Sequence, residues 1–449
     1  MNEITDLGLR EIAKRVGSRE LSAEDVVRAY VQVIEQRESQ IRAWKFFDAD
    51  AAITQARILD SRFGTPAQLA GIPIGVKDLF DTFDMPTCYG SPIYAHHRPS
   101  VDAALVAKAR TLGAIVMGKT VTTEFATFKP GDTRNPRSPD IDHPHTPGGS
   151  SSGSAAAVAA GMVPVAFGTQ TAGSVIRPAA YCGVVGYKPT FGTLSLSGAK
   201  ALSQSLDTAG VISRTVDDAA YIVGLLSNQT FNVDADHAFR FAICQTPHWH
   251  LTEPASRDAI NSSSHLLASV GLAASEVCLP AGCGDLATAH VQIMTYEAAA
   301  SYVPECRTQP SGLSAPFRQI LESGAKLGGA GYAKAQQLAE KGRKLIDSLF
   351  DEYDILISPS ATGEAPAGLD ATGDPIFGRI WTMLGYPCVH VPTGYGPNGL
   401  PVGVTLIGAR WHDEIVLSAA TRLASLVGAL STCGTEAGKM VETRMPQKT

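Results

Sequence analysis

The first part of the chain carries the 3.6-residue periodicity of amphipathic helices. In LSAEDVVRAYVQVIEQRE, Ser22 is followed by Asp25 at the spacing of a capping box. The apolar side chains that follow recur on one helical face, at Val26, Tyr30, Val33 and Ile34. A second helix is predicted for ADAAITQARILDSRFG, ended by Gly64. We therefore expect a helical N-terminal segment over about residues 1–65.

From Leu69 onward the pattern changes to short apolar runs bounded by glycine, which are typical of buried strands. These runs are LAGIPIGVKDLFDT, GAIVMGKT, VPVAFGT and GVVGYKP. Helical patterns lie between them, in DAALVAKARTLG and near residues 154–160. The alternation predicts an α/β fold with helices on the faces of a sheet.

The C-terminal part returns to the same alternation after a less patterned region. Strands are predicted for YDILISPS, CVHVPTGYG and GVTLIGAR, and a helix for DEIVLSAATRLASLVG. We expect a core over about residues 66–225, a pocket-shaping region over 227–340 and a return to the sheet over 345–430. Because no break in composition isolates a second domain, residues 1–449 are predicted to form one domain.

Composition narrows the class of protein. The chain has 449 residues, 44% of them hydrophobic, and a net charge of −6, so a large core is possible and a nucleic-acid partner is not indicated. The N-terminus lacks the pattern of a secretory signal, and no apolar run is long enough for a membrane span. The eight scattered cysteines contain no C-x-x-C pair, so we expect reduced thiols and a cytoplasmic enzyme.

Several short motifs match known catalytic, phosphate-binding or metal-binding patterns, but their context does not support those roles. Gly113 to Thr120 fits G-x-x-x-x-G-K-T, but its middle residues are apolar and predict a buried strand instead of a phosphate loop. Gly149 to Gly153 fits G-x-S-x-G, yet the prolines before it oppose the strand that a nucleophile elbow needs. The S-x-x-K pairs Ser197/Lys200 and Ser323/Lys326 lack their companion motifs. The histidines lack metal-site spacing, so no metal is expected at His96, His97, His143 or His145.

The segment HTPGGSSSGSAAAVAAG, residues 145–161, is either a flexible linker or a catalytic loop before a helix. Two other features favour the catalytic interpretation. A second turn of small residues, GTQTAGSVIRPAAYCG, contains Ser174, and an apolar strand, GIPIGVKDLFDT, contains Lys77. A lysine in such a strand is unusual, because lysine is rarely buried without a partner.

Together these stretches resemble the amidase signature family. The matching motifs are GVKD, GGSSSGS, GTQTAGSVIRPAAYCGVVGYKPT and SLDTAGVISRTVDDAA, and the likeness continues through DILISPS and GLPVGVTLIG. Within the family, TQTAGSVIRPAAYCG looks closest to malonamidase and related small-amide hydrolases. The resemblance implies one large domain with a central mixed β-sheet covered by helices on both faces.

The resemblance also implies a Ser–cis-Ser–Lys triad. Ser174 would be the nucleophile, Ser150 the bridging serine after a cis peptide bond, and Lys77 the base. A lysine acts as a base only when neutral, and an apolar strand favours that form, because burial lowers the pKa of a lysine below its solution value of about 10.4. The oxyanion hole would be formed by the amides of Thr171, Ala172, Gly173 and Ser174.

Three further residues match family positions. Arg177 would bind a substrate carboxylate by its planar fork, or alternatively bond nearby carbonyls as a structural arginine. Thr169 and Asp207 would support the triad loops by hydrogen bonds.

The expected activity is hydrolysis of the C–N bond of a small amide, carboxylate-bearing if Arg177 faces the substrate, through an acyl-enzyme and without a cofactor. The alternatives are a biuret or carboxybiuret hydrolase, the A subunit of a tRNA-dependent amidotransferase, which the wording SVIRPAAYCG disfavours, and an inactive binding protein on the same fold. A homodimer is expected, and the other possibility is a complex with a small partner subunit. Neither a nucleic acid nor a membrane is expected as a partner.

Overall fold

A computed structural model describes residues 3–61, 67–140 and 142–442, with side chains for all of these except residue 3 and residues 430–442. The predicted helix end at Gly64 lies outside these ranges. The helices are α1 (Glu3–Asp6), α2 (Leu9–Gly17), α3 (Ala23–Ile41), α4 (Ala49–Ser61), α5 (Ala104–Thr111), α6 (Ser152–Ala159), α7 (Ile176–Cys182), α8 (Val216–Ser227), α9 (Pro254–Ser269), α10 (Leu286–Ser301), α11 (Val303–Thr308), α12 (Ala315–Asp347), α13 (Leu349–Glu352), α14 (Ile376–Leu384) and α15 (Asp413–Glu442). The strands are β1 (Trp44–Phe47), β2 (Pro73–Lys77), β3 (Ile115–Thr120), β4 (Val165–Gln170), β5 (Val185–Lys188), β6 (Thr208–Ser213), β7 (Phe241–Gln245), β8 (Ser275–Cys278), β9 (Ile355–Pro359), β10 (Cys388–Tyr395) and β11 (Pro401–Gly408).

Local signals explain where several of these elements begin. Helix α3 starts after Ser22, whose hydroxyl accepts the amide of Asp25 at 2.9 Å, as the capping box predicts.

The segment with the phosphate-loop motif forms β3, so the prediction of a strand there is confirmed. Strands β1 and β3 pair closely at Gly118, where a Cβ would lie 2.2 Å from the carbonyl oxygen of Phe46, so that position requires glycine.

All the described strands join one mixed sheet in the order β1-β3-β2-β4-β6-β5-β10-β11-β9-β7-β8. Strands β3, β2 and β4 run parallel to one another, as do β9, β7 and β8, while the middle of the sheet is antiparallel. The expected mixed sheet is therefore present. It includes β1, β6, β7 and β8, for which the hydrophobic pattern provided no prediction.

Helices cover both faces of this sheet. Along β9, Ile355 and Ile357 point into one core cluster and Leu356 into another, as the two-residue period of a strand requires. The first cluster takes side chains from α2 to α9 and from α15, and the second takes most of its helical side chains from α10, α12 and α14. The less patterned region 227–340 thus supplies much of the second layer.

The topology brings two candidate segments to one edge of the sheet. Strands β2 and β4 are parallel neighbours, and Val76 pairs with Phe167. Lys77 is the last residue of β2, and β4 ends at Gln170 before the second small-residue turn. Since carboxyl ends of parallel strands lie at the same edge, the lysine and the turn meet there. Within the described ranges, no helix has the length and apolar character that crossing a membrane demands.

Candidate active site

Lys77 lies in a buried cluster of hydroxyl groups. Its Nζ is 2.8 Å from the Oγ of Ser150 and 2.8 Å from the Oγ1 of Thr169. The side chain is fully buried, and no carboxylate in the described part of the chain forms an ion pair with it. Burial lowers the pKa of Lys77 well below its usual value, against a weaker opposing effect of the Asp207 charge. The site therefore favours a neutral amine.

The Gly/Ser segment is a packed part of this site. The peptide bond between Gly149 and Ser150 is cis, and Ser150 through Ser154 are buried. A Cβ on Gly149 would lie 2.8 Å from a methyl group of Thr372, so a side chain has no room there. A solvated linker would leave this segment exposed, so its burial argues against the linker interpretation.

The second turn, Thr171 to Ser174, is held by its carbonyl groups. The Nε2 of His290 donates to the Thr171 carbonyl at 2.8 Å, and the hydroxyl of Thr382 donates to the Ala172 carbonyl at 2.8 Å. None of the four amides of the turn donates to another residue that the structure describes. A turn with anchored carbonyls and open amides can serve as an oxyanion hole.

Ser174 lies beside the Gly/Ser segment. The amide of Ser151 donates to the Ser174 carbonyl at 3.3 Å, which ties the two loops together. Ser174 is 7% exposed, and its hydroxyl makes no hydrogen bond to another described residue. The structure thus joins Lys77, Ser150 and Thr169 by direct contacts, and it connects Ser174 to them through the backbone.

Asp207 anchors the turn through its carboxylate. Its Oδ1 accepts the Thr171 hydroxyl at 2.5 Å, and its Oδ2 accepts the amides of Leu202 at 2.8 Å and Ser203 at 3.0 Å. Burial raises the pKa of Asp207 to about 6, although these donors favour the carboxylate. The side chain contacts the loops and makes no direct contact with Lys77.

Arg177 bonds carbonyl groups, as the structural alternative describes. Its Nε donates to the Thr372 carbonyl at 2.7 Å and its Nη2 to the Gly149 carbonyl at 2.6 Å. The side chain is almost fully buried, and burial lowers the pKa of Arg177 to about 10. Only Nη1 is left without a partner in the described chain. The guanidinium is thus used to hold the Gly149 loop.

Two cavities border the turn, and Arg177 lines neither of them. A cavity of about 290 Å³ is lined by Thr169, Thr171 and Asp207 together with Lys200. A cavity of about 640 Å³ is lined by Ala172 and by side chains of α10, α12 and α14. A small molecule can therefore approach the open amides from the larger cavity.

Several residues of the site were missed by sequence reasoning. Gln170 lies inside the quoted motif, and its Oε1 accepts the amides of Val175 at 2.8 Å and Ile176 at 3.0 Å. Three more residues reach the site from distant parts of the chain and have no motif of their own, namely His290, Thr372 and Thr382. Their positions follow only from tertiary packing.

The rejected motifs have structural roles. Lys119 of the phosphate-loop motif is buried 3.5 Å from Asp78 and donates to the Phe80 carbonyl at 2.6 Å. Lys200 pairs with the buried Glu305. Exposed His143 contacts Asp140 at 2.7 Å. Among the described residues, no group of three His, Cys, Asp or Glu side chains is placed to hold a metal.

Comparisons with known proteins identify the family that the chain matches. The model of the family described as Amidase matches residues 25–417. A curated relative from Acidothermus cellulolyticus is the A subunit of glutamyl-tRNA(Gln) amidotransferase. It is 33% identical, and the match covers 90% of this chain and 91% of the relative.

Two solved structures are similar over nearly the whole fold. One belongs to a vestigial protein complex connected with the evolutionary origins of an s-triazine catabolic enzyme, with a TM-score of 0.85, 27% identity, and coverage of 94% of this chain and 99% of that one. The other is described as an amidase, with a TM-score of 0.84, 27% identity, and coverage of 93% of this chain and 99% of that one.

Proposed function

The chain belongs to the amidase family, and on that premise we propose that it hydrolyses the C–N bond of a small amide through an acyl-enzyme. The observation that carries the proposal is the buried Lys77 amine, 2.8 Å from the Ser150 hydroxyl and without a carboxylate partner in the described chain. In this environment the amine is a base, because burial disfavours its charged form.

The proposed acylation step begins with proton transfer. Ser174 Oγ attacks the amide carbonyl while its proton passes to Ser150 Oγ, and the proton of Ser150 passes to Lys77 Nζ. The open amides of Thr171 to Ser174 stabilise the oxyanion of the tetrahedral intermediate. The C–N bond then breaks, and the leaving nitrogen takes a proton back from Lys77 through Ser150.

Deacylation uses the same groups. Lys77 takes a proton, through Ser150, from a water molecule whose oxygen attacks the acyl carbonyl on Ser174. The bond between the acyl carbon and Ser174 Oγ then breaks, Oγ takes the proton back from Lys77 through Ser150, and the acid is released. Thr169 orients the amine, whereas Asp207 and Thr382 hold the turn. Because Lys77 must be neutral at the start, we expect kcat/KM to rise with pH and then level off.

Replacing the nucleophile is the direct test. Ser174→Ala is expected to lower ammonia release from a panel of small amides, ureas and carbamoyl acids by about 10³-fold or more. Labelling by a serine-reactive fluorophosphonate, read by intact mass, should vanish as well. Ser152→Ala is a matched control, because that hydroxyl donates only to the Val121 carbonyl at 3.3 Å. Turnover retained by Ser174→Ala would refute the assignment.

A second candidate function is the ammonia-releasing A subunit of a tRNA-dependent amidotransferase. The 33% identity to a protein of that name favours it. It predicts hydrolysis of glutamine that increases when the other subunits of the amidotransferase are added. The first candidate predicts turnover of small amides by the chain without them, so the same assay separates the two functions.

We also propose that the chain assembles, as a homodimer or with a small partner subunit. The similarity to a member of a vestigial protein complex and to one subunit of an amidotransferase supports association. Size-exclusion chromatography with light scattering on the purified chain measures this directly. A monomer that is fully active on small amides would contradict the proposal.

A further inference from the structure

The larger cavity beside the oxyanion turn carries one ionised side chain. Its volume is about 640 Å³, and its wall includes Ala172 of the turn and Arg379 of α14. Apart from His290, every other described residue that lines it is apolar or an uncharged polar residue. Arg379 is therefore the group on this wall that can attract an anion.

Most N–H groups of the Arg379 guanidinium have no acceptor among the described residues. Its Nη2 lies 3.4 Å from the Oδ1 of Asp374, longer than the roughly 2.7–2.9 Å of a strong charge-assisted hydrogen bond. The Asp374 side chain is 52% exposed, so water screens the pair, while Arg379 is only 20% exposed. A guanidinium has five N–H donors in a planar fork, and this contact uses one of them.

The other cations near the turn are already engaged. Lys200 in the smaller cavity pairs with buried Glu305 and lies 3.2 Å from the Tyr94 hydroxyl. Arg177 donates to two backbone carbonyls. Of these three cations, Arg379 is the one that faces a cavity without a close anionic or carbonyl partner.

His290 lines the same wall as a neutral, buried ring. Its Nε2 must donate to the Thr171 carbonyl at 2.8 Å, which leaves Nδ1 as an acceptor without a partner in the described chain. Burial lowers the pKa of His290 to about 4, so the ring is neutral at pH 7. His290 thus adds no charge to this wall, and Arg379 remains its one cation among the described residues.

We propose that Arg379 binds a carboxylate of the substrate, and that the substrates are short amides carrying a free carboxylate, such as half-amides of dicarboxylic acids or carbamoyl acids. This inference rests on the proposed amide hydrolysis. It moves the expected carboxylate contact from Arg177 to Arg379, because Arg177 is occupied by the Gly149 loop. Arg379 sets specificity, and the Lys77 cluster carries the chemistry.

The kinetic test uses two substrates that differ mainly in charge, succinamate and succinamide. We expect Arg379→Met to lower the ratio of kcat/KM for succinamate over succinamide by about 10- to 100-fold, mainly through KM, since hydrogen bonds to charged groups contribute about 1.5–3 kcal/mol. Arg379→Lys should keep part of the preference. Arg422→Met is the matched control, because Arg422 forms a similar pair with Asp236 at 3.3 Å. An unchanged ratio in Arg379→Met would overturn the inference.

A binding measurement separates this inference from the proposed function. Calorimetry with succinate and malonate uses the Ser174→Ala chain, alone and combined with Arg379→Met. We expect the added Arg379→Met substitution to weaken binding of these dicarboxylates by about 10-fold or more. Binding that is absent, or equal in the two chains, overturns the inference even if amide hydrolysis stands. Binding that depends on Arg379 without hydrolysis by the wild-type chain would overturn the proposed function and leave the anion site in place.

Discussion

Two buried lysines lie on neighbouring strands of the same sheet, and their surroundings differ. Lys77 ends β2 and Lys119 lies in β3, in register with Val76. Both side chains are fully buried, and burial lowers the pKa of both. Lys77 contacts the hydroxyls of Ser150 and Thr169, whereas Lys119 lies 3.5 Å from the carboxylate of Asp78.

The difference shows that burial alone does not make a lysine a base. Lys119 has an opposite charge beside it and donates to the Phe80 carbonyl and the Thr87 hydroxyl, both at 2.6 Å, so its ammonium is compensated. Lys77 has only neutral partners in the described chain, and one of these, Ser150, can pass a proton onward. The partner groups, not the depth of burial, separate a structural cation from a candidate base.

The largest expected effect is on activity at Lys77. Lys77→Met should lower kcat by about 10³-fold or more, because no other described group is placed to take the proton from Ser150. Steady-state ammonia release measures this, with circular dichroism to show that the fold is retained. If the variant kept more than about a tenth of the wild-type kcat, a barrier change under about 1.4 kcal/mol, Lys77 would not be the base.

The next effect is on stability at Lys119. Lys119→Met leaves the Asp78 carboxylate buried without its cation, and we expect the free energy of unfolding to fall by about 3–5 kcal/mol. The activity of the folded fraction should stay within about 3-fold of wild type, because the Lys119 ammonium contacts neither Ser150 nor Thr169, the hydroxyl partners of the Lys77 amine. Urea unfolding and an assay on the same samples measure the two quantities.

A double substitution sharpens this result. Lys119→Met combined with Asp78→Asn removes both charges, so part of the lost stability should return. If Lys119→Met abolished activity without destabilising the chain, the contrast between the two lysines would fail. ATP binding by the wild-type chain that depended on Lys119 would also restore the phosphate-loop interpretation.

A smaller effect is expected at Thr169, which orients Lys77. Thr169→Val removes the hydroxyl 2.8 Å from Nζ and leaves the more distant carbonyl at 3.4 Å. We expect kcat to fall by up to about 10-fold, the value of one hydrogen bond of about 0.5–1.5 kcal/mol, with KM nearly constant. Thr169→Ser restores the hydroxyl and should restore kcat, whereas a purely steric role would leave both variants impaired.

Much of the fold was predictable from the sequence because the signals are local. Buried runs such as β3 and the capped start of α3 depend on neighbouring residues, and the structure contains both. Strand β1 carries no such signal, since only Trp44 of its four residues is buried and no glycine bounds the run. The family resemblance predicted helices on both faces of the sheet, but the hydrophobic pattern did not predict the individual helices α10 and α14 of the second layer.

The Lys77–Ser150 contact joins two motifs 73 positions apart, and the family resemblance, not the spacing, predicted it. The argument that a lysine in an apolar strand is unusual applies equally to Lys119 and to Lys188, whose Nζ donates to the Pro189 carbonyl at 2.9 Å. The residues alone did not separate these lysines, and the family resemblance did. Sequence spacing also could not predict the contacts of Arg177, since one of its carbonyl partners belongs to Thr372, 195 positions away.

The last expected effect is the pH dependence of stability at Lys77. Burial lowers the pKa of the folded-state amine, so between that pKa and the unfolded value of about 10.4 the unfolded chain binds more protons at this position. Stability therefore rises with pH across this window, because raising the pH disfavours the state that holds the proton. Lys77→Met has no such proton, so its stability relative to wild type should be highest near neutral pH and should shrink toward about pH 10. Urea unfolding of both chains over this range measures the difference in their free energy of unfolding. A difference that did not change with pH would show that Lys77 stays charged when buried, as an ion-paired lysine does.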